Sequence, residues 1–124
     1  MIRILIVDDD LTTRYTIGDL IGTILRDCPH PPVDIQYAGS AEEAIGVLTN
    51  EDITLLITDY ELSGLSGLEL IRHTSDYLST KKILLTDHPP SVQHRILGAE
   101  AGLEGIFEKP VRREDLKQIL MDLF

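Results

Sequence analysis

The chain has 124 residues, 43% hydrophobic and 26% charged, enough apolar surface for one compact domain over residues 1–124 and too much for a disordered chain. Its longest apolar run, Ile4–Val7, is far short of the roughly 20 residues of a bilayer span and argues against a secretory leader. A net charge of −10 disfavours direct binding to nucleic acid, and Cys28, the lone cysteine, allows no internal disulfide or cysteine metal cluster and is compatible with a cytoplasmic location.

The first strand is expected at Ile2–Val7, running into Asp8-Asp9-Asp10. Ile17, Leu20, Ile21, Ile24 and Leu25 then follow the i, i+3, i+4, i+7, i+8 stripe of a helix with one buried face. Cys28-Pro29-His30-Pro31-Pro32 is hostile to helix, and Val33–Ala38 is a weaker second strand. Ala41, Ala44, Ile45 and Leu48 form the next stripe, with Ser40 and Glu43 spaced as a capping box. Ile53–Thr58 is the third strand and ends at Asp59. A thinner stripe, Leu68, Ile71, Ser75 and Leu78, leads to a fourth strand at Lys82–Thr86. Val92, Ile96 and Ala99 predict a fourth helix, with Pro90 suited to its first turn. Gly105–Glu108 is the fifth strand, running into Lys109-Pro110, and Leu116, Ile119, Leu120 and Leu123 predict a fifth helix.

Strand and helix therefore alternate five times, and the strands are apolar at nearly every position, as in a sheet buried on both faces. Such alternation predicts an α/β fold with a parallel sheet and right-handed crossovers. Ligands in such folds sit beyond the carboxyl ends of the strands. There the topology would gather Asp8 and Asp9 after strand 1, Asp59 after strand 3, Thr86 at the end of strand 4 and Lys109 after strand 5.

Three carboxylates in one pocket repel each other, so either some are protonated or a cation compensates them. Hard oxygen ligands of this charge suit Mg²⁺ or Mn²⁺. Metal, ammonium and hydroxyl together can bind the three oxygens of a phosphoryl group. The remaining carboxylate can then act as nucleophile and form an acyl phosphate.

With ILIVDDD, LLITDY, ILLT and FEKP in this order and spacing, the chain resembles the receiver domain of two-component response regulators along its whole length. The resemblance implies a flavodoxin-like fold of strand order 2-1-3-4-5 with five helices, an order for which chemotaxis regulators are a standard example. It implies that Asp59 is the phosphoacceptor, that Asp8 and Asp9 organise Mg²⁺ with Asp59, and that Glu61 offers the ion its backbone carbonyl. Thr86 would be the switch hydroxyl and Lys109 the ion-pairing lysine, followed by a cis Lys-Pro bond, which proline makes inexpensive. The implied partner is a sensor histidine kinase or a phosphotransfer protein. An effector domain beyond Phe124 and a homodimer are further partners of this kind, whereas nucleic acid and membrane are not expected for this segment. The domain would catalyse only its own phosphorylation and dephosphorylation.

Other readings stand beside these. Asp10 reads better as a helix cap than as a ligand. Asp59 alone would read as a loop acid, Thr86 as an ordinary strand-end hydroxyl, and Lys109 as a solvated lysine before a turn. His30, His73, His88 and His94 show no metal spacing, and only His88 falls near the pocket. A receiver-like adaptor that is never phosphorylated is the alternative function. A Mg²⁺-dependent phosphohydrolase or flavodoxin-like cofactor protein ranks last, since no Gly-rich phosphate loop follows strand 1.

Several positions depart from the family pattern. Ser63 replaces a usual proline and Ser66 a usual aspartate, so the loop 63–67 is expected to be more flexible. Asp87 follows the switch threonine where a small residue is usual; facing the pocket, it would slow labelling by small anionic donors. The resemblance also implies that Glu61 and His88 fall at positions flanking the path of hydrolytic water. Ile106 stands where an aromatic switch residue is usual, and Phe107 should point into the core. Leu120 is expected to pack on the sheet, while Phe124 is the less certain end of that apolar stripe.

Overall fold

The computed structural model describes residues 1–74, 76–77, 79–88, 91, 95, 99 and 102–124. The five apolar runs become strands β1 (Ile2–Val7), β2 (Val33–Ala38), β3 (Leu55–Asp59), β4 (Lys81–Thr86) and β5 (Gly105–Glu108). They form one sheet in the order β2-β1-β3-β4-β5, with every neighbouring pair parallel. Three strands match their expected limits. β4 starts one residue early, and β3 is displaced: it starts at Leu55 and keeps Asp59, which pairs with Leu85 in the ladder.

Side chains alternate across a pleated strand, and β1 and β3 use this to build two cores. Ile4, Ile6, Leu55 and Ile57 face one side, with Ile83 and Leu85 of β4. Against them pack Ile17, Ile21, Ile24 and Leu25 of α1 (Leu11–Arg26) and Leu116 and Leu120 of α4 (Arg113–Leu123). Leu5, Val7 and Leu56 face the other side. They meet Ala41, Ala44 and Leu48 of α2 (Ala41–Asn50) and Leu70 and Ile71 of α3 (Gly67–His73).

Four helices are seen among the described residues, where five stripes were expected. Of the missing one, Arg95 and Ala99 are helical, and Arg95 N–H donates to the Ser91 carbonyl at 3.1 Å; Pro90, Val92 and Ile96 lie outside the described residues. α3 ends at His73 with Thr74 as its cap, and Ser75 and Leu78 of that stripe also lie outside them.

The helix starts follow their capping residues. Asp10 caps α1, accepting from Thr12 N–H at 3.1 Å and from the Thr13 hydroxyl at 2.7 Å. Ser40 accepts from Glu43 N–H at 3.1 Å, but Glu43 reaches back one residue further than the capping box requires, to Gly39 N–H at 3.1 Å. The complete box belongs to α3, where Ser66 and Glu69 cap each other's backbone N–H groups. At the other end of the chain Leu120 is fully buried and Leu123 packs on the core. Phe124 keeps 37% of its surface exposed and stacks on His30 with ring centroids 5.9 Å apart.

Candidate functional site

Backbone hydrogen bonds continue past the strand ends and fix where the acidic residues stand. Asp8 N–H donates to the Ala38 carbonyl at 3.1 Å, extending the β1–β2 ladder by one bond. Tyr60 N–H donates to Leu85 at 2.7 Å, and Lys109 N–H to Thr86 at 2.7 Å. Asp8, Asp59 and Lys109 are thus anchored to neighbouring strands at the carboxyl edge of the sheet. The Lys109-Pro110 peptide that follows is cis.

The loop after Asp59 returns through two glycine-dependent positions. Gly64 takes φ +82°, in the left-handed region that side chains resist. Gly67 N–H donates to the Tyr60 carbonyl at 2.8 Å. A Cβ on Gly67 would lie 2.0 Å from the Asp59 carbonyl oxygen and 2.9 Å from a Leu84 methyl, so no side chain fits while α3 starts where it does.

The anchored side chains converge. One carboxylate oxygen from each of Asp8, Asp9 and Asp59 lies within 4.8 Å of the others. Lys109 Nζ is 3.0 Å from Asp8 Oδ2 and 3.1 Å from Asp59 Oδ1. Asp8 Oδ1 accepts from Asp10 N–H at 2.9 Å, so both of its oxygens are occupied. Asp59 Oδ1 is different. It is buried beside the ammonium yet accepts no hydrogen bond among the described residues, because a 3.1 Å ion pair can lie off the hydrogen-bond direction. Asp9 is exposed, and its Oδ2 accepts from the Ser63 hydroxyl at 3.2 Å.

The electrostatics follow from burial and neighbours. Burial pushes the Asp59 carboxyl above its ordinary value, and Asp8 adds to this, while Lys109 and the Glu61 backbone N–H pull it partly back. Burial alone would lower the Lys109 ammonium, but its contacts with Asp8 and Asp59 prevail and raise it. Asp10 is held below the ordinary carboxylate range, first by the Thr13 hydroxyl and then by Thr12 N–H; this is the behaviour of a helix cap.

These residues floor a cleft of about 440 Å³ lined also by Glu61, Leu62, Ser63 and Asp87. Glu61 and Asp87 are therefore at the site. Thr86 does not line the cleft. It is buried at the end of β4, and its hydroxyl accepts from His88 N–H at 3.2 Å. Phe107 packs against the core on the α1 side, and Ile106 is half-buried. The Ser63–Asp9 contact had no sequence signal, because it joins residues 54 apart through two loops.

The donor set suits a hard divalent cation: three carboxylates, one buried oxygen without a hydrogen bond and a single lysine leave unbalanced negative charge around oxygen ligands. With such an ion the cleft can bind phosphoryl oxygens beside a carboxylate nucleophile.

The family model described as response regulator receiver domain matches residues 4–121. The chain is 31% identical over 114 residues to aerobic respiration control protein ArcA of Escherichia coli, covering 92% of this chain and 44% of that protein. It thus spans less than half the length of that relative. It is 30% identical over 125 residues to a chemotaxis protein CheY homolog of Campylobacter jejuni, covering 98% and 91% of the two chains. A crystal structure of a CheY-like receiver domain protein from Methanospirillum hungatei superposes with a TM-score of 0.78 at 30% identity, covering 99% of this chain and 94% of that one.

Proposed function

The chain belongs to the response regulator receiver domain family, a family of signalling domains, and from that premise we propose that residues 1–124 form one receiver that accepts a phosphoryl group on Asp59. The observation that carries this reading is the convergence of Asp8, Asp9 and Asp59 around one lysine, from strand ends up to 101 residues apart. The donor is the phosphohistidine of a sensor histidine kinase or phosphotransfer protein.

Asp8, Asp9, Asp59 and the Glu61 carbonyl are the groups that would hold Mg²⁺. When bound, the ion neutralises charge on the phosphoryl oxygens and orients them for in-line transfer. The rest falls to the chain. An oxygen of the Asp59 carboxylate attacks phosphorus and forms the O–P bond. The P–N bond breaks, and its electron pair stays on the imidazole nitrogen of the donor. Lys109 keeps a positive charge beside the attacked centre because its two carboxylate neighbours raise its pKa. Attack of water on the resulting acyl phosphate returns Asp59 and inorganic phosphate, so the domain catalyses only its own labelling and its loss.

Thr86 accepts from His88 N–H and so keeps its own proton to donate to the phosphoryl group, which couples the site to the segment after β4. The new charge then biases a surface read by a partner or an effector domain. The adaptor reading, with no phosphorylation, would draw on the departures at Ile106 and Asp87, and the complete set of Asp8, Asp9, Asp59, Thr86 and Lys109 speaks against it.

The test is incubation with a small phosphodonor and Mg²⁺ followed by intact mass spectrometry. Wild type gains the mass of one phosphoryl group, and Asp59→Ala gains none. Equal labelling of the two proteins would refute the assignment of Asp59.

A further inference from the structure

The cleft is lopsided in charge. Asp8, Asp9, Asp10, Asp59, Glu61 and Asp87 line it, against Lys109 as the one cation among the described residues. Lys109 is committed to Asp8 and Asp59, and the three clustered carboxylates are the ones a divalent ion would compensate. Asp87 is outside that cluster and has no ion pair among the described residues. It is exposed, and it lines two cavities at once. One is the acidic cleft. The other is an adjoining, mainly apolar cavity of about 410 Å³ lined by Ile17, Leu20, Leu85, Pro110 and Val111 among others. Asp87 therefore stands on the rim of the cleft rather than on its floor, with its charge uncompensated.

We propose that Asp87 is a specificity-determining residue that discriminates among phosphoryl donors, disfavouring small anionic ones such as acyl phosphates. The proposal rests on the reading of Asp59 as phosphoacceptor. A donor carrying two negative charges meets Asp87 as it enters and is repelled in proportion to its charge. A donor whose leaving nitrogen is protonated presents less net negative charge, and the same carboxylate costs it little or attracts it. The chemistry at Asp59 is otherwise alike. With acetyl phosphate the P–O bond breaks and its electrons leave with acetate. With phosphoramidate the P–N bond breaks and its electrons leave on the nitrogen of ammonia. Because Asp87 is exposed, salt screens it, and one such solvated charge is expected to change rates by about three- to tenfold.

The experiment compares initial rates of Asp59 labelling for wild type, Asp87→Asn and Asp87→Ala, read by intact mass spectrometry. Acetyl phosphate and phosphoramidate serve as donors, at saturating Mg²⁺ and at low and high salt. Both substitutions should speed labelling by acetyl phosphate several-fold and leave labelling by phosphoramidate unchanged or slower. Added salt should accelerate acetyl phosphate labelling of wild type more than of Asp87→Asn. A change by the same factor for both donors, or no change for either, overturns the selective role while leaving Asp59 as the acceptor. Absence of labelling by both donors in all three proteins overturns the acceptor reading itself, and the selective role with it.

Discussion

Lys109 serves two carboxylates with one ammonium, and its partners are not equivalent. Asp8 has both oxygens hydrogen-bonded, whereas Asp59 is buried beside the lysine with Oδ1 accepting no hydrogen bond among the described residues. Burial therefore dominates at Asp59 and raises its pKa from the ordinary 3.8. A carboxyl shifted this way binds its proton more tightly in the folded chain. Its favourable contribution is complete below pH 3.8 and is lost as pH rises through the folded value. At neutral pH, without divalent ions, ionised Asp59 thus opposes folding, and Asp59→Asn should melt several degrees higher than wild type. The gap should close as pH falls towards 3.8, and a constant gap from neutral to acid pH would contradict this account. Lys109 obeys the same rule in a different pH range. Its raised pKa gives a stabilisation that is full below 10.5 and lost only as pH climbs through the folded value. At this scale Asp8, Asp9, Asp59 and Lys109 were legible in the sequence, because each directly follows or ends an apolar strand. Ser63 was not, since its bond to Asp9 depends on how two loops fold over the sheet edge.

α3 is the shortest helix among the described residues, seven residues, and it starts immediately after the loop that leaves Asp59. A helix this short gains little from propagation, so its start matters. Both halves of its capping box are present, Glu69 N–H to Ser66 Oγ at 3.1 Å and Ser66 N–H to Glu69 Oε1 at 3.2 Å. Ser66→Ala should cost about 1 kcal/mol of stability, measured by urea denaturation with an unchanged slope; a loss near zero would show that packing of Leu70 and Ile71 alone sets the helix start. The Ser-x-x-Glu spacing was there to be read at 66–69 and marks the cap better than the pair at 40–43, where Glu43 turned to Gly39. Strand interiors were legible because β-branched and leucine runs have one way to be buried on two faces. Strand ends were less so, since Asp59 stays in β3 only through its ladder partner Leu85. Lys82 shows the limit of reading polarity as exposure. It is 2% exposed, its ammonium donates to the Thr74 carbonyl at 2.6 Å beyond α3, and burial lowers its pKa.

The whole molecule carries net charge −10, and part of that charge is concentrated in one cleft, so the fold pays a repulsive cost that a bound cation relieves. Mg²⁺ that binds the folded chain alone stabilises it by RT ln(1 + [Mg²⁺]/Kd), about 2.7 kcal/mol at a hundred times Kd. Melting temperature should therefore rise with Mg²⁺ in wild type and rise much less in Asp9→Asn. Equal shifts in both would place the ion elsewhere. The strand order was legible at this scale only through the family resemblance that the four motifs carry. The helix expected after β4 falls mostly outside the described residues, among which Arg95 and Ala99 are helical. One packing detail bears on how the parts move together. With Gly67 seated against the Asp59 carbonyl and a Leu84 methyl, hard-sphere contact couples the acceptor's own main chain to the first turn of α3. Nothing compressible lies between them, so a small lift of that carbonyl is handed on like motion through a push-rod instead of being absorbed by slack.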